Sequence, residues 1–177
     1  MIVLGRLVEE VSGRPLGRFA RERIFGPLGL KDTGFDPDPD RCAPTADEPP
    51  GRVHDPLARA YATGERQPGN AGLFSTADDL ARFCQALLSG RLLRSDTVEA
   101  MFAPQERSAG DRRGLGWDIF EEPPFAPGVG HTGFTGTLLW MDPGRRRFVV
   151  LLTNRVRSGE ATDVRRLRRE VVAALGR

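Results

Sequence analysis

Apolar residues at positions 2, 3, 4, 7, 8 and 11 recur at helical spacing and predict an amphipathic helix over 2–11, ended by Ser12-Gly13. Pro15 suits the start of a second helix over 16–25, stopped by Gly26-Pro27. Gly29 to Phe35 reads as a turn into a short extended piece. Residues 36–70 are rich in Pro, Asp, Gly and Arg and predict no regular element; a loop that long within a domain is usually functional or mobile. Ser75-Thr76-Ala77-Asp78-Asp79 offers overlapping helix caps, and Leu80, Phe83, Cys84, Leu87 and Leu88 then form one apolar stripe that Gly90 closes. Ser95 is placed to cap a short helix through Met101-Phe102, limited by Pro104.

After Gly114 the pattern turns to strands. Leu115–Ile119, Phe134–Met141 and Arg147–Thr153 have strand composition, and Asp142-Pro143-Gly144-Arg145 is a turn that pairs the last two as an antiparallel hairpin. A closing helix over 160–175 carries Val164, Leu167, Val171 and Val172 as its expected inner face, with Arg165, Arg166, Arg168 and Arg169 opposite. Residues 1–113 therefore read as helices and loop, and 114–177 as a β-meander with a final helix, an α+β arrangement within one domain.

The chain has 177 residues, 26 basic against 24 acidic, so its charge implies no polyanionic partner. Residues 144–177 carry a net +7, but no aromatic residues interleave the arginines, and a solvated helix face explains them better than a nucleic-acid interface. Two cysteines exclude a disulfide framework, and two histidines argue against a multi-histidine metal site. No apolar run reaches membrane-spanning length, and the first residues lack the basic start of a signal peptide. Because position 1 already lies inside a helical pattern with no cap, the chain reads as the later part of a longer protein.

Gly128-Val129-Gly130-His131-Thr132-Gly133 has the spacing of a dinucleotide fingerprint. It follows Pro123, Pro124 and Pro127 and precedes β-rich sequence, so no helix is expected to receive a pyrophosphate, and that reading is rejected. Glycines in a strand instead mark close approach of another backbone or a ligand, and a His and a Thr there can donate to an anionic group; a Gly-rich bend with a structural His is the alternative. Cys84 with His131 is a conceivable thiol–imidazole pair, but Cys84 sits on an apolar stripe and reads as a buried thiol; Cys42 has no evident activating partner. Asp118, Glu121 and Glu122 read as a solvated edge rather than a metal or acid–base cluster.

The string Gly130 to Pro143, followed by Phe148-Val149-Val150-Leu151-Leu152-Thr153-Asn154-Arg155, resembles the class C type of serine β-lactamase and penicillin-binding hydrolases, which includes D-alanyl-D-alanine carboxypeptidases and esterases. Leu4 to Leu16, Ile24 to Phe35, Val53-His54-Asp55 and Ala71 to Leu80 extend the resemblance in the same order. It implies a β-lactamase/transpeptidase-like fold and acyl transfer to a serine, with no cofactor and no metal. His131-Thr132-Gly133 would be the Lys/His-Thr-Gly triad, and Phe134, through its backbone N–H, and Thr135 would bind substrate beside it. His54 and Asp55 would line the mouth of the site, or form an exposed loop pair.

The departures are specific. No serine has a lysine three residues later, and the one tyrosine, Tyr61, is not in a Tyr-x-Asn triplet. In the family pattern both motifs precede the residues matching Met1, so the chain reads as a C-terminal part, inactive alone, whose partners would be an anionic small-molecule or peptide-like substrate and the N-terminal half or a second copy. A non-catalytic binding module that keeps the substrate-binding strand is the competing class. Asn70 stands where a His is expected in the branch with the Gly72-Leu73-Phe74-Ser75-Thr76 run, which leaves the substrate open among β-lactam, D-Ala peptide and ester.

Overall fold

A computed structural model describes residues 1–45, 48–105, 112–157 and 163–175. The chain divides into two compact units, Met1–Leu80 and Ala81–Arg177.

The first unit opens with α1 (Ile2–Ser12), ended by Gly13 in the left-handed conformation. Its buried residues are Gly5 and Glu9, while Val3, Leu4, Leu7 and Val11 stay exposed. The periodicity finds the helix, but the apolar stripe is not the packed face. Gly5 is there because a Cβ would lie 3.1 Å from both Gly69 N and Leu16 Cδ2. Glu9 is buried because its Oε1 accepts the N–H of Leu16 at 3.0 Å, which caps α2 (Leu16–Ala20) across the intervening turn.

That helix does not stop at Gly26-Pro27. It continues through a π-helical turn, Arg21–Phe25, into α3 (Gly26–Leu28), and Gly29 at φ 65° ends it. Gly26 donates to the carbonyl of Arg21, five residues back. This wider turn lets the chain pass Pro27, which has no N–H to give a regular helix.

The predicted structureless loop also holds elements: a 3₁₀ turn at Pro39–Arg41 and α4 (Pro56–Tyr61). Proline near the start and Asp55 as the cap are ordinary helix-opening chemistry, here within a short span. The turn after Leu30 meets the segment before α5 (Ala77–Leu88): Gly34 and Phe74 exchange backbone hydrogen bonds at 2.8 and 3.0 Å. Asp79, 1% exposed, accepts from Asp32 N at 2.8 Å and Thr33 Oγ1 at 2.9 Å. Thr76 Oγ1 accepts the N–H of Asp79 at 3.2 Å, as the capping pattern predicts.

The second unit is built on a four-stranded antiparallel sheet in the order β1 (Asp118–Phe120), β2 (Gly128–Thr132), β3 (Leu138–Asp142), β4 (Arg147–Leu151). Three strands are legible in composition, although β1 and β3 begin later than expected, at Asp118 and Leu138, the latter because residues 134–137 form the turn before β3; β2 is the added one, because its glycines mask a strand. Alternation along β3 covers both faces. Leu138 and Trp140 pack with Val149 and with Val172 of α7 (Val164–Ala174), while Leu139 and Met141 join Cys84, Leu87, Val98 and Val129. Trp140 Nε1 donates to the carbonyl of Phe125 at 2.8 Å, so its one polar atom is satisfied.

Two expectations on helices are corrected. In α6 (Ser95–Phe102) the cap position is Arg94, with no side-chain cap bond, and Ser95 is already helical. In α7 the buried residues are Val164, Arg168 and Val172, whereas Leu167 is 41% exposed. Steps of four residues make that stripe, so Arg168 lies on the packed face and not opposite it. The start expected for this helix, 160–162, lies outside the described residues. Among the described residues no helix is long and apolar enough to cross a membrane.

Candidate substrate-binding site

Strand β2 lies between β1 and β3, with His131 opposite Leu139 and Thr132 opposite Leu138. Its glycines answer to neighbouring chain. A Cβ on Gly130 would lie 2.2 Å from the carbonyl oxygen of Leu139, and one on Gly128 the same distance from Trp140 Nε1. A strand and a turn follow, with no helix after Gly133, so the geometry of a pyrophosphate site is not formed.

The buried pattern of β2 ends at His131, whose side chain is exposed, and Thr132 is half-buried. His131 Nδ1 bonds the carbonyl of Thr132 at 2.9 Å. A carbonyl only accepts, so Nδ1 carries the hydrogen, and in the neutral ring Nε2 is the acceptor.

The turn Gly133–Thr137 joins β2 to β3, and each of its five carbonyl oxygens has a donor. Gly133 O accepts from Gly136 N at 3.1 Å and from Arg168 Nη2 at 2.8 Å. Phe134 O accepts from Arg155 Nε at 2.6 Å, and Thr135 O from Arg155 N at 2.8 Å. Gly136 O accepts from Thr153 Oγ1 at 2.8 Å. Thr137 O accepts from Gly133 N at 2.9 Å and Arg168 Nη2 at 2.8 Å. The Arg155 guanidinium also lies 4.7 Å above the exposed Phe134 ring. A Cβ on Gly133 would meet Thr137 Oγ1 at 2.2 Å, so a larger residue there requires the Thr137 side chain to turn away.

His131, Thr132, Gly133, Phe134 and Thr135 thus form one contiguous segment of the second unit. His54 and Asp55 belong to the first unit. Asp55 accepts the N–H of Ala58 at 2.7 Å as the cap of α4. The carbonyls of Val53 and His54 accept from Arg59 Nη1 at 2.8 and 3.1 Å, which orders the segment.

Arg168 is the residue sequence reasoning missed. Its place midway between Val164 and Val172, four residues from each, was the available signal. Burial first, and the charge of Arg155 second, hold its guanidinium below the ordinary arginine value. Cys84 is fully buried and its thiol is pushed up to about 12 by burial, so it is no nucleophile. Cys42 is also raised, by burial and then by Asp38. Of the carboxylate edge, Asp118 pairs with Arg113 at 3.0 Å and Glu121 with Arg112 at 2.6 Å. Among the described residues no group of three or more His, Cys, Asp or Glu is arranged to hold a metal ion. A cavity of about 570 Å³ near the start of β2, lined by Phe102, Phe120, Gly128 and Pro143 among others, includes none of the residues from His131 to Thr135.

The family model Beta-lactamase matches residues 1–173. The chain belongs to the β-lactamase family. An Escherichia coli (strain K12) relative named "Putative D-alanyl-D-alanine carboxypeptidase" is 31% identical over 192 residues, covering 89% of this chain and 44% of that protein. A Salmonella schwarzengrund relative of the same name is 34% identical, with the same coverage. Among solved structures, "EstCE1, a hydrolase with promiscuous acyltransferase activity" is 27% identical with a TM-score of 0.73, covering 97% of this chain and 53% of its own. The penicillin binding protein from Bacillus halodurans, 21% identical with a TM-score of 0.71 and the same coverage, shares the fold. The chain spans less than half the length of the curated relatives it matches. The β-lactamase/transpeptidase-like α+β fold implied by the Gly130–Arg155 resemblance is the one found.

Proposed function

We propose that this chain forms the substrate-binding wall of a β-lactamase-family serine hydrolase and recognises the carboxylate of a peptide-like substrate at the end of β2. In this reading Thr132 and His131 contact the anionic group, Gly133 lets the substrate approach the backbone, and the N–H of Phe134 helps bind the oxyanion of an acyl-serine pathway. Phe134 and Thr135 flank the bound group.

The observation that supports this most is the turn after β2. A peptide unit is trans, so its C=O and N–H point in opposite directions. With the carbonyls of Gly133, Phe134 and Gly136 drawn onto Arg168, Arg155 and Thr153, the N–H groups of the same peptide units, those of Phe134, Thr135 and Thr137, are directed away from those donors. The name of the E. coli and Salmonella relatives makes a D-alanine-terminated peptide the first substrate to test. The chain contains no Ser-x-x-Lys and no Tyr-x-Asn, so its own share of the reaction is binding, and acylation falls to a serine that it does not supply.

Calorimetric titration with N-acetyl-D-alanyl-D-alanine and with its C-terminal amide tests this. The acid is expected to bind about tenfold more tightly, the effect of one charge-assisted contact. Equal affinities would overturn carboxylate recognition. A fluorescent penicillin or fluorophosphonate probe is expected to label no serine, and stoichiometric labelling would overturn the division of labour.

A further inference from the structure

Arg168 is a cation in an unusual place. It is 8% exposed, and among the described residues it forms no ion pair, while its Nε is buried without a hydrogen-bond partner. Burying an uncompensated guanidinium is unfavourable, and two neutral carbonyls offset only part of that cost. Arg155 adds a second positive charge on the same turn. A hydrophobic residue here would pack with Val164 and Val172 at lower cost, so fold stability alone does not account for the arginine.

The two carbonyls it holds explain the choice. They are those of Gly133 and Thr137, the first and last residues of the turn. Fixing Gly133 O on Arg168 sets the plane of the Gly133–Phe134 peptide, and so sets the direction of the Phe134 N–H. Arg155 does the same for the next peptide through Phe134 O. The charge of Arg168 is not spent on Glu170 of α7, which pairs with Arg166.

We propose that Arg168, seconded by Arg155, is a positioning residue for anion recognition: it clamps the two ends of the Gly133–Thr137 turn and leaves an electropositive floor beneath the group bound at His131 and Thr132. The inference rests on the reading of the β2 end as the carboxylate site. Neither arginine touches substrate in this account; each acts through the peptide planes it orients.

The test uses the full chain with Arg168→Gln, Arg168→Lys and, as a control, Arg165→Gln, whose side chain is 89% exposed on the same helix. Two readouts are taken: the ratio of affinities for N-acetyl-D-alanyl-D-alanine and its amide, and hydrogen exchange of the Gly133 and Gly136 N–H groups, which bond within the turn. Arg168→Gln is expected to lose about tenfold in affinity for the acid, to change less than about twofold for the amide, and to exchange those two amides about tenfold faster. Arg168→Lys keeps the charge and restores part of the acid preference, and Arg165→Gln leaves both readouts unchanged.

An acid preference in Arg168→Gln equal to that of the parent chain overturns the proposal. If Arg168→Gln does not fold, Arg168→Met decides: undiminished turn protection and undiminished acid affinity with no donor to either carbonyl overturn the clamp. If the parent chain itself shows no acid preference, the carboxylate reading of β2 falls. The exchange data then judge the clamp alone, and unchanged exchange in Arg168→Gln overturns it too.

Discussion

Helices α1 and α7 are both amphipathic in sequence, and they use the pattern differently. Each buries one charged side chain that serves backbone groups: Glu9 accepts from the first turn of α2, and Arg168 donates to the turn after β2. Around Arg168, however, α7 also buries Val164 and Val172, whereas α1 leaves Val3, Leu4, Leu7 and Val11 exposed. Hydrophobic period therefore locates a helix but does not choose its packed face. A charged group that bonds backbone dipoles can choose it instead, since a hydrogen bond to a charged group contributes about 1.5–3 kcal/mol.

The comparison breaks most readily at the sheet-facing side of α7. Val172→Asp places an unpaired carboxyl against Leu138, Trp140 and Val149, and is expected to cost about 4 kcal/mol in urea denaturation. A loss below about 1 kcal/mol would mean that α7 is not anchored on the sheet.

Asp142, 1% exposed, gives the next effect. Burial pushes its carboxyl up, but the N–H of Arg145 and the guanidinium groups of Arg145 and Arg147 outweigh that and hold it below the usual carboxylate value. Its stabilisation is therefore complete above about pH 4 and is lost as pH falls through the lowered value. Asp142→Ala is expected to cost about 2 kcal/mol at neutral pH, and its denaturation curve should approach the parent's in acid. A gap between the two that does not narrow would contradict the assignment.

Leu7→Ser on α1 gives the smallest change, within about 0.5 kcal/mol, because the side chain is 55% exposed. A loss like that of Val172→Asp would show that the α1 stripe is covered in solution, and would erase the contrast between the helices.

Much of this molecule can be read from its residues. The helix over Ala77–Leu88, the hairpin turn at Asp142–Arg145 and the family resemblance around Gly130–Arg155 follow from caps, turn chemistry and motif order. What was not legible depends on partners distant in sequence. Strand β2 hides behind glycines that exist for Leu139 and Trp140, and α4 hides in a Pro-rich stretch that its Asp55 cap makes helical. Arg168 hides among the other arginines of α7, because composition does not tell a solvated guanidinium from one bound to two carbonyls.

The central claim is that the end of β2 and its turn form the anion-recognising wall of a β-lactamase-family hydrolase. The most direct measurement is a ¹⁵N–¹H spectrum of the chain titrated with N-acetyl-D-alanyl-D-alanine. The account predicts that the largest shifts fall on the amides of His131 to Thr135 and are weaker with the C-terminal amide of the same peptide. Shifts confined to other regions, or equal shifts with both peptides, would contradict it.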